Sequence, residues 1–329
     1  MKPPKLQFQL LIRGGLSLLA VVLLFAAILW TDSASVRYSK YQCHYAMIYQ
    51  QSDPIDIAFI GSSRSVQGVG TEEIVDVIGS DIDVRSFAKS WRGQGINYTI
   101  MRDLLEQRHV KTMLVEVNMP ETGTFHGHFF LVGRLSDWLM SQRFRNKYLL
   151  DLEALGKTSK NMIDRFTEQW TLALLGALPQ FDNAHLQVAL DQRECRSKEE
   201  KRREQAYWDQ KLDYYQTYYV DKTWEWGLDE KRARHDTGFL RAIKALTDEN
   251  DVELIFYHMP EALNLTLNPE FAQEFEAEIG APLIIPPAQL TRDVEAMFGF
   301  ADATHMTQRG RAFYSTWLAN RIIQTSDRL

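Results

Sequence analysis

A chain of 329 residues with 45% hydrophobic and 24% charged residues has the composition of a folded globular protein, which excludes a wholly disordered chain and a fibrous repeat. Its net charge of −6 offers no general attraction for phosphate backbones and argues against nucleic acid as the main partner. Two cysteines, Cys43 and Cys195, are too few for a disulfide framework; they admit one long-range bridge in an oxidising compartment or two separate thiols.

The first element is a membrane signal. Residues 14–30 read GGLSLLAVVLLFAAILW, without a charge, after Lys2, Lys5 and Arg13 and before Asp32. At 1.5 Å per residue the run covers roughly 25 Å, close to the hydrocarbon thickness of a bilayer, and Arg13 can snorkel to extend it. The flanking positive charges predict a cytoplasmic segment at 1–13, a single-pass inner-membrane anchor at 14–31 and a periplasmic or extracytoplasmic domain at 32–329. A cleaved signal peptide is the competing reading, since Ser33, Ala34 and Ser35 loosely suit a peptidase, but the apolar run is long for one.

Beyond it the chain alternates strand-like and helix-like segments. IDIAFI at 55–60 is an apolar run ending in Gly61, the pattern of a buried parallel strand that feeds a tight turn. IDVRSFA at 82–88, TMLVEVN at 112–118, VELIFYHMP at 252–260 and PLIIPP at 282–287 are the other strand candidates. Apolar residues at helical spacing mark 96–109, 237–250 and 270–280, and TQRGRAFYSTWLANRIIQ closes the chain as a helix. The alternation predicts an α/β fold: a parallel sheet with crossover helices on both faces and its sites along the rim of strand C-termini. Residues 121–236 interrupt it and read as a helical insertion that begins at that rim and overhangs any site there, as a lid or partner-binding cap.

Gly61, Ser62, Ser63 and Arg64 follow the first strand directly. A glycine there permits a sharp turn, and the serine after it can project a hydroxyl over the rim with its own N–H available to an oxyanion, although the same residues suit a phosphate nest or a plain turn. A hydroxyl nucleophile needs a base. ADATH at 301–305 places Asp302 three residues before His305, so the carboxylate can hold one imidazole nitrogen while the other takes the serine proton. A second Asp-x-x-His, Asp182 to His185, sits inside the insertion with no strand before it and shows how little the spacing proves alone. Position distinguishes Asp302 and His305, which follow the fifth strand and precede the closing helix.

With Gly61-Ser62-Ser63 as a first block and Asp302-x-x-His305 as a last, the chain resembles the SGNH (GDSL-like) hydrolase superfamily, with Ser62 in place of the usual aspartate. The resemblance implies a flavodoxin-like three-layer α/β/α domain, Ser63 as nucleophile, His305 as base and Asp302 as its orienter. It also implies an oxyanion hole formed by Ser63 with Gly93 or Gly95 from WRGQGIN and Asn118 from LVEVNMPE, where the usual Gly-x-Asn-Asp context is missing. The N-terminal anchor, the Gly-Ser-Ser-Arg block and the insertion look like the membrane-anchored extracytoplasmic branch that includes D-alanyl transfer and alginate O-acetylation proteins. That likeness implies a membrane-bound O-acyltransferase as partner and a glycan as acceptor.

The expected function is therefore transfer of an acyl group, acetyl first among candidates, to an extracytoplasmic polysaccharide through an acyl-serine ester. A periplasmic esterase using the same residues, or a non-catalytic component of a polysaccharide assembly, is the alternative. Arg64 and His258, at the ends of the first and fourth strands, are candidate substrate contacts, with an ordinary salt bridge and a structural role as their competing readings. His126 and His128 have no carboxylate or cysteine at ligand spacing, so neither a metal nor a cofactor is expected. Eight aromatics between 207 and 226 provide a helical core stripe through Trp208, Tyr215 and Tyr219 and a second face, with Tyr207, Tyr214 and Tyr218, suited to a glycan, a lipid head group or a partner.

Overall fold

The computed structural model describes residues 47–49, 51–89, 93–117, 230–262, 269–302 and 304–329. The expected anchor, both cysteines, Asn118, the HGH sequence, the aromatic run and the insertion up to residue 229 lie outside them. Among the described residues no helix is long and apolar enough to cross a membrane.

In chain order the elements are β1 (Ile55–Ile60), α1 (Ser63–Gly68), α2 (Thr71–Ile78), β2 (Val84–Ser86), α3 (Gln94–Gln107) and β3 (Val110–Glu116). After the insertion come α4 (Glu230–Glu249), β4 (Glu253–Tyr257), α5 (Pro269–Ile279), β5 (Leu283–Ile284), α6 (Ala288–Ala296) and α7 (Gln308–Thr325). The strands form one parallel sheet in the order β2-β1-β3-β4-β5. The five expected strands coincide with these five. α4 starts at residue 230, inside the segment assigned to the insertion.

Why the strands read as unbroken apolar runs is plain from the packing, since both faces of the sheet are covered. Ala58, Ile60, Met113, Val115, Leu254 and Phe256 face one hydrophobic cluster, which α3, α4 and α5 complete with Ile96, Ile100, Leu104, Phe239, Ile243 and Phe275. The alternate residues Ile57, Phe59, Leu114, Ile255 and Tyr257 face the other, against Ile74 of α2, Val294 of α6 and Tyr314, Leu318 and Ile322 of α7. This is the layering of a three-layer α/β/α arrangement. Each fully buried Ile, Leu or Phe contributes about 1.5–3 kcal/mol, and a single-residue slip of any strand would exchange its two faces.

Strand order decides where a site can form. From β1 the chain moves one way to β2, then crosses back to β3 on the other side of β1, so the connections leaving the C-terminal ends of β1 and β3 part and open a crevice between them. Ser63 and Glu116 stand at those two ends.

Candidate active site

At the end of β1 the chain turns at Gly61 and Ser62 and enters the short helix α1, for which the Ser62 side chain is the N-cap, accepting from Arg64 N at 3.2 Å. Of residues 61–66 only Ser63 is not buried. Its Oγ lies 2.8 Å from His305 Nε2 across 242 positions of sequence.

His305 comes from the loop between α6 and α7. The loop runs out and back as a narrow antiparallel excursion, with Phe300 bridged to Met306, Ala301 N–H donating to the His305 carbonyl at 2.7 Å and Thr307 N–H donating to the Gly299 carbonyl at 2.8 Å. Thr307 then caps α7, its Oγ1 accepting from Gly310 N. The base of the loop is tight because Gly299 and Gly310 meet backbone to backbone; a methyl on Gly310 would run into the Gly299 carbonyl.

Asp302 sits at the tip. His305 Nδ1 lies 2.9 and 2.8 Å from its two carboxylate oxygens, and the N–H groups of Thr304 and His305 each donate to Oδ1 at 2.9 Å. Burial alone would push this carboxyl up; the hydrogen bond and charge of His305, with the two backbone N–H groups, outweigh it and hold Asp302 below the ordinary aspartate range. The carboxylate fixes the tautomer. With the Nδ1 proton directed at Asp302, Nε2 presents its lone pair to the Ser63 hydroxyl. Three groups from opposite ends of the described chain thus form one hydrogen-bonded line from hydroxyl through imidazole to carboxylate.

Gly93 and Gly95, the expected oxyanion donors, open α3. Gly93 is its N-cap at φ +119°, a conformation that favours glycine, and a Cβ there would meet nothing within 4 Å. This turn belongs to the same rim. Lys89 N–H donates to the Gly61 carbonyl at 2.9 Å, while the Gln94 and Asn97 side-chain amides donate to the Glu116 carbonyl at 2.9 and 3.4 Å. The Ser63 N–H opens α1 and donates to no acceptor among the described residues. Asn118 lies outside the described residues.

The two candidate substrate contacts point into the protein. Arg64 Nε donates to Glu116 Oε1 at 3.2 Å and Nη1 pairs with Glu261, leaving 8% of the side chain exposed. Burial lowers the affinity of this guanidinium for its proton, but the two carboxylates overcompensate and hold it above its ordinary value. His258 is 2% exposed. Its Nδ1 is 3.0 Å from the Val117 carbonyl, and Tyr314 Oη donates to its carbonyl at 3.0 Å. Burial, helped by the charge of Arg64, pushes its pKa down to about 3.

Sequence reading missed Glu116. It is fully buried and receives contacts from Ser62, Arg64 and Ser65. Tyr257 joins them through Ser65 Oγ at 2.6 Å; burial, then the Glu116 charge, push its phenol well above the ordinary range. The available signal was an acidic residue set in the apolar run TMLVEV of a strand buried on both faces. Among the described residues no group of three or more His, Cys, Asp and Glu side chains is arranged to hold a metal. No protein-family model matches the chain, and no curated protein matches it either.

Proposed function

We propose that the protein is a serine-dependent acyl-transfer enzyme of SGNH type, with Ser63 as nucleophile, His305 as general base and acid, and Asp302 as orienter. The observation that carries this reading is the unbroken chain Ser63 Oγ, His305 Nε2, His305 Nδ1, Asp302, with both links at 2.8 Å. Support also comes from the half-buried state of Ser63, the placement of the triad at the crevice between β1 and β3, and the sheet order, which is that of flavodoxin-like folds.

In the proposed cycle His305 Nε2 takes the Ser63 proton as Oγ adds to the acyl carbonyl carbon. The carbonyl oxygen becomes an oxyanion held by the Ser63 N–H and by N–H groups at the start of α3, where Gly93 and Gly95 lie. The tetrahedral intermediate collapses to acyl-Ser63 as the leaving oxygen collects the proton from His305. An acceptor hydroxyl then gives its proton to His305 as its oxygen adds to the ester carbonyl, and the second tetrahedral intermediate expels Ser63 Oγ, which takes that proton back from His305. Asp302 stabilises the imidazolium in both halves and exchanges no proton.

The acceptor we propose is a hydroxyl of a cell-envelope glycan, and the acyl group is acetyl or another short chain. The basis is the sequence: an apolar segment at 14–31 that would hold the domain outside the inner membrane, where acyl-CoA is absent and a membrane-bound O-acyltransferase would have to deliver the acyl group. Ser63→Ala should abolish acyl transfer and labelling by a fluorophosphonate while leaving thermal unfolding unchanged. Undiminished glycan acylation in a strain carrying Ser63→Ala would remove Ser63 from the reaction. A chromogenic ester hydrolysed without transfer to added glycan would assign the same residues to an esterase.

A further inference from the structure

The turn that carries Ser63 is wound around a carboxylate. Glu116 Oε2 receives the Ser62 N–H at 2.6 Å and the Ser65 hydroxyl, while Oε1 receives the Ser62 hydroxyl at 2.9 Å and Arg64 Nε at 3.2 Å. Four donors on two oxygens fill the accepting capacity of a carboxylate. Gly61 completes the wrapping, because a Cβ there would stand 2.6 Å from Oε2. Residues 61, 62, 64 and 65 are therefore all shaped by Glu116, and Ser63 alone faces away, toward His305.

The same residue grips the opposite wall. Its main-chain carbonyl receives Gln94 and Asn97 from the first turn of α3. Glu116 thus ties the nucleophile turn through its carboxylate and the Gly93–Gly95 turn through its backbone, fixing the spacing between the two places that supply oxyanion donors. It also allots the N–H groups. By engaging the Ser62 N–H it leaves that of Ser63 as the donor of the turn open to an oxyanion.

We propose that Glu116 is the positioning residue of the nucleophile, holding the 61–65 turn so that Ser63 Oγ meets His305 Nε2 and its N–H faces the oxyanion. This rests on the reading of Ser63 as nucleophile. An amide in place of the carboxylate turns an NH2 group toward two of the four donors, whichever way it is flipped, so half of the turn loses its acceptor. A displacement of Ser63 on the order of 1 Å costs on the order of 10²-fold in rate, and since Glu116 is buried away from the substrate the loss belongs in kcat, with KM little changed.

The test uses the full-length protein in mild detergent, a fluorophosphonate probe for Ser63 and p-nitrophenyl acetate for turnover. Glu116→Gln should label and turn over on the order of 10²-fold more slowly with KM within about threefold, and Glu116→Asp, which keeps an acceptor on a shorter stem, should recover part of the rate. Ser65→Ala removes one donor and leaves the carboxylate. It should still fold, unfolding at a lower temperature because Glu116 and Tyr257 each lose a buried partner, and label several-fold more slowly, and it decides the matter should Glu116→Gln fail to fold. A folded Glu116→Gln or Ser65→Ala protein that labels at the wild-type rate overturns the positioning role alone. A wild-type protein that does not label overturns the nucleophile together with it.

Discussion

Asp302 can be replaced by asparagine without losing the acceptor for the Thr304 and His305 N–H groups, because Oδ1 survives in the amide. What changes is the other half of the head group, which becomes an NH2 donor facing His305 Nδ1. Donation from that NH2 favours the tautomer with the imidazole proton on Nε2, where it can no longer accept from Ser63, and only Oδ1 is left to hold the productive one. Asp302→Asn should therefore lower kcat by on the order of 10²–10⁴ in an ester assay with the fold intact, less complete a loss than Ser63→Ala. His258 carries a different signature. Its folded pKa is about 3 against an ordinary 6.5, so the unfolded chain binds a proton that the folded one refuses, and stability present at neutral pH drains away as pH falls from about 6.5 toward 3. By pH 4.5 the loss is on the order of 2–3 kcal/mol. His258→Asn keeps an N–H donor for the Val117 carbonyl but cannot titrate. Denaturant melts at pH 7 and 4.5 should show the variant less stable at pH 7, through the lost volume, yet with an acid loss smaller by about 2 kcal/mol; parallel losses in the two proteins would mean that His258 is not the titrating group.

Elements rather than single side chains bring Asp302 and His305 to the rim, and the narrowest point in that delivery is the contact of Gly299 with Gly310. A methyl on Gly310 pushes the start of α7 off the loop base, and the antiparallel pairs at Phe300 and Met306 and at Ala301 and His305 open with it. Gly310→Ala should cost about 1–3 kcal/mol in a denaturant melt and also slow fluorophosphonate labelling of Ser63; a variant destabilised but labelled normally would show that the loop holds its shape without this contact. How much of the site could be read from sequence follows the same division into local and distant. Ser63 was legible because β1 is an apolar run broken at Gly61, and Asp302 with His305 because they stand three positions apart in one loop. β2 was expected at 82–88 and spans Val84–Ser86; the hydrogen bonds around it extend from the Asp83 carbonyl to Lys89 N–H, the last of them reaching Gly61 just past β1, so the pairing is longer than the strand and one residue out of step with the expected bounds. Glu116 was legible only as an acidic residue out of place in the apolar run TMLVEVN; nothing local marks it as the acceptor of four donors that arrive from 51 to 54 positions away. Neither α1 nor α6 announces itself, being too short, at 6 and 9 residues, for helical periodicity to stand out.

At the scale of the whole molecule the chain enters the domain at the end of the sheet opposite the site. Arg108, just before β3, donates to the Asp53 and Met47 carbonyls and so pins the approach to β1 at the strand N-termini, while Ser63 lies past the other end of β1, about 20 Å away for a strand of this length. Between the proposed anchor and residue 47 stand fifteen residues, 32–46, whose fully extended reach is about 50 Å. That reach exceeds the length of the sheet, so a tethered domain can turn its rim back toward the bilayer and meet an acyl donor at the membrane surface. Ten residues fewer would leave about 17 Å, less than the strand itself spans. Deleting 34–43 should therefore abolish acylation of the glycan in cells while ester hydrolysis by the same protein in detergent stays at the wild-type rate. Hydrolysis and glycan acylation falling together would place the defect in the domain, whereas glycan acylation surviving the deletion would mean that the acyl group reaches Ser63 without the rim approaching the membrane, which removes the reason for a membrane-bound donor.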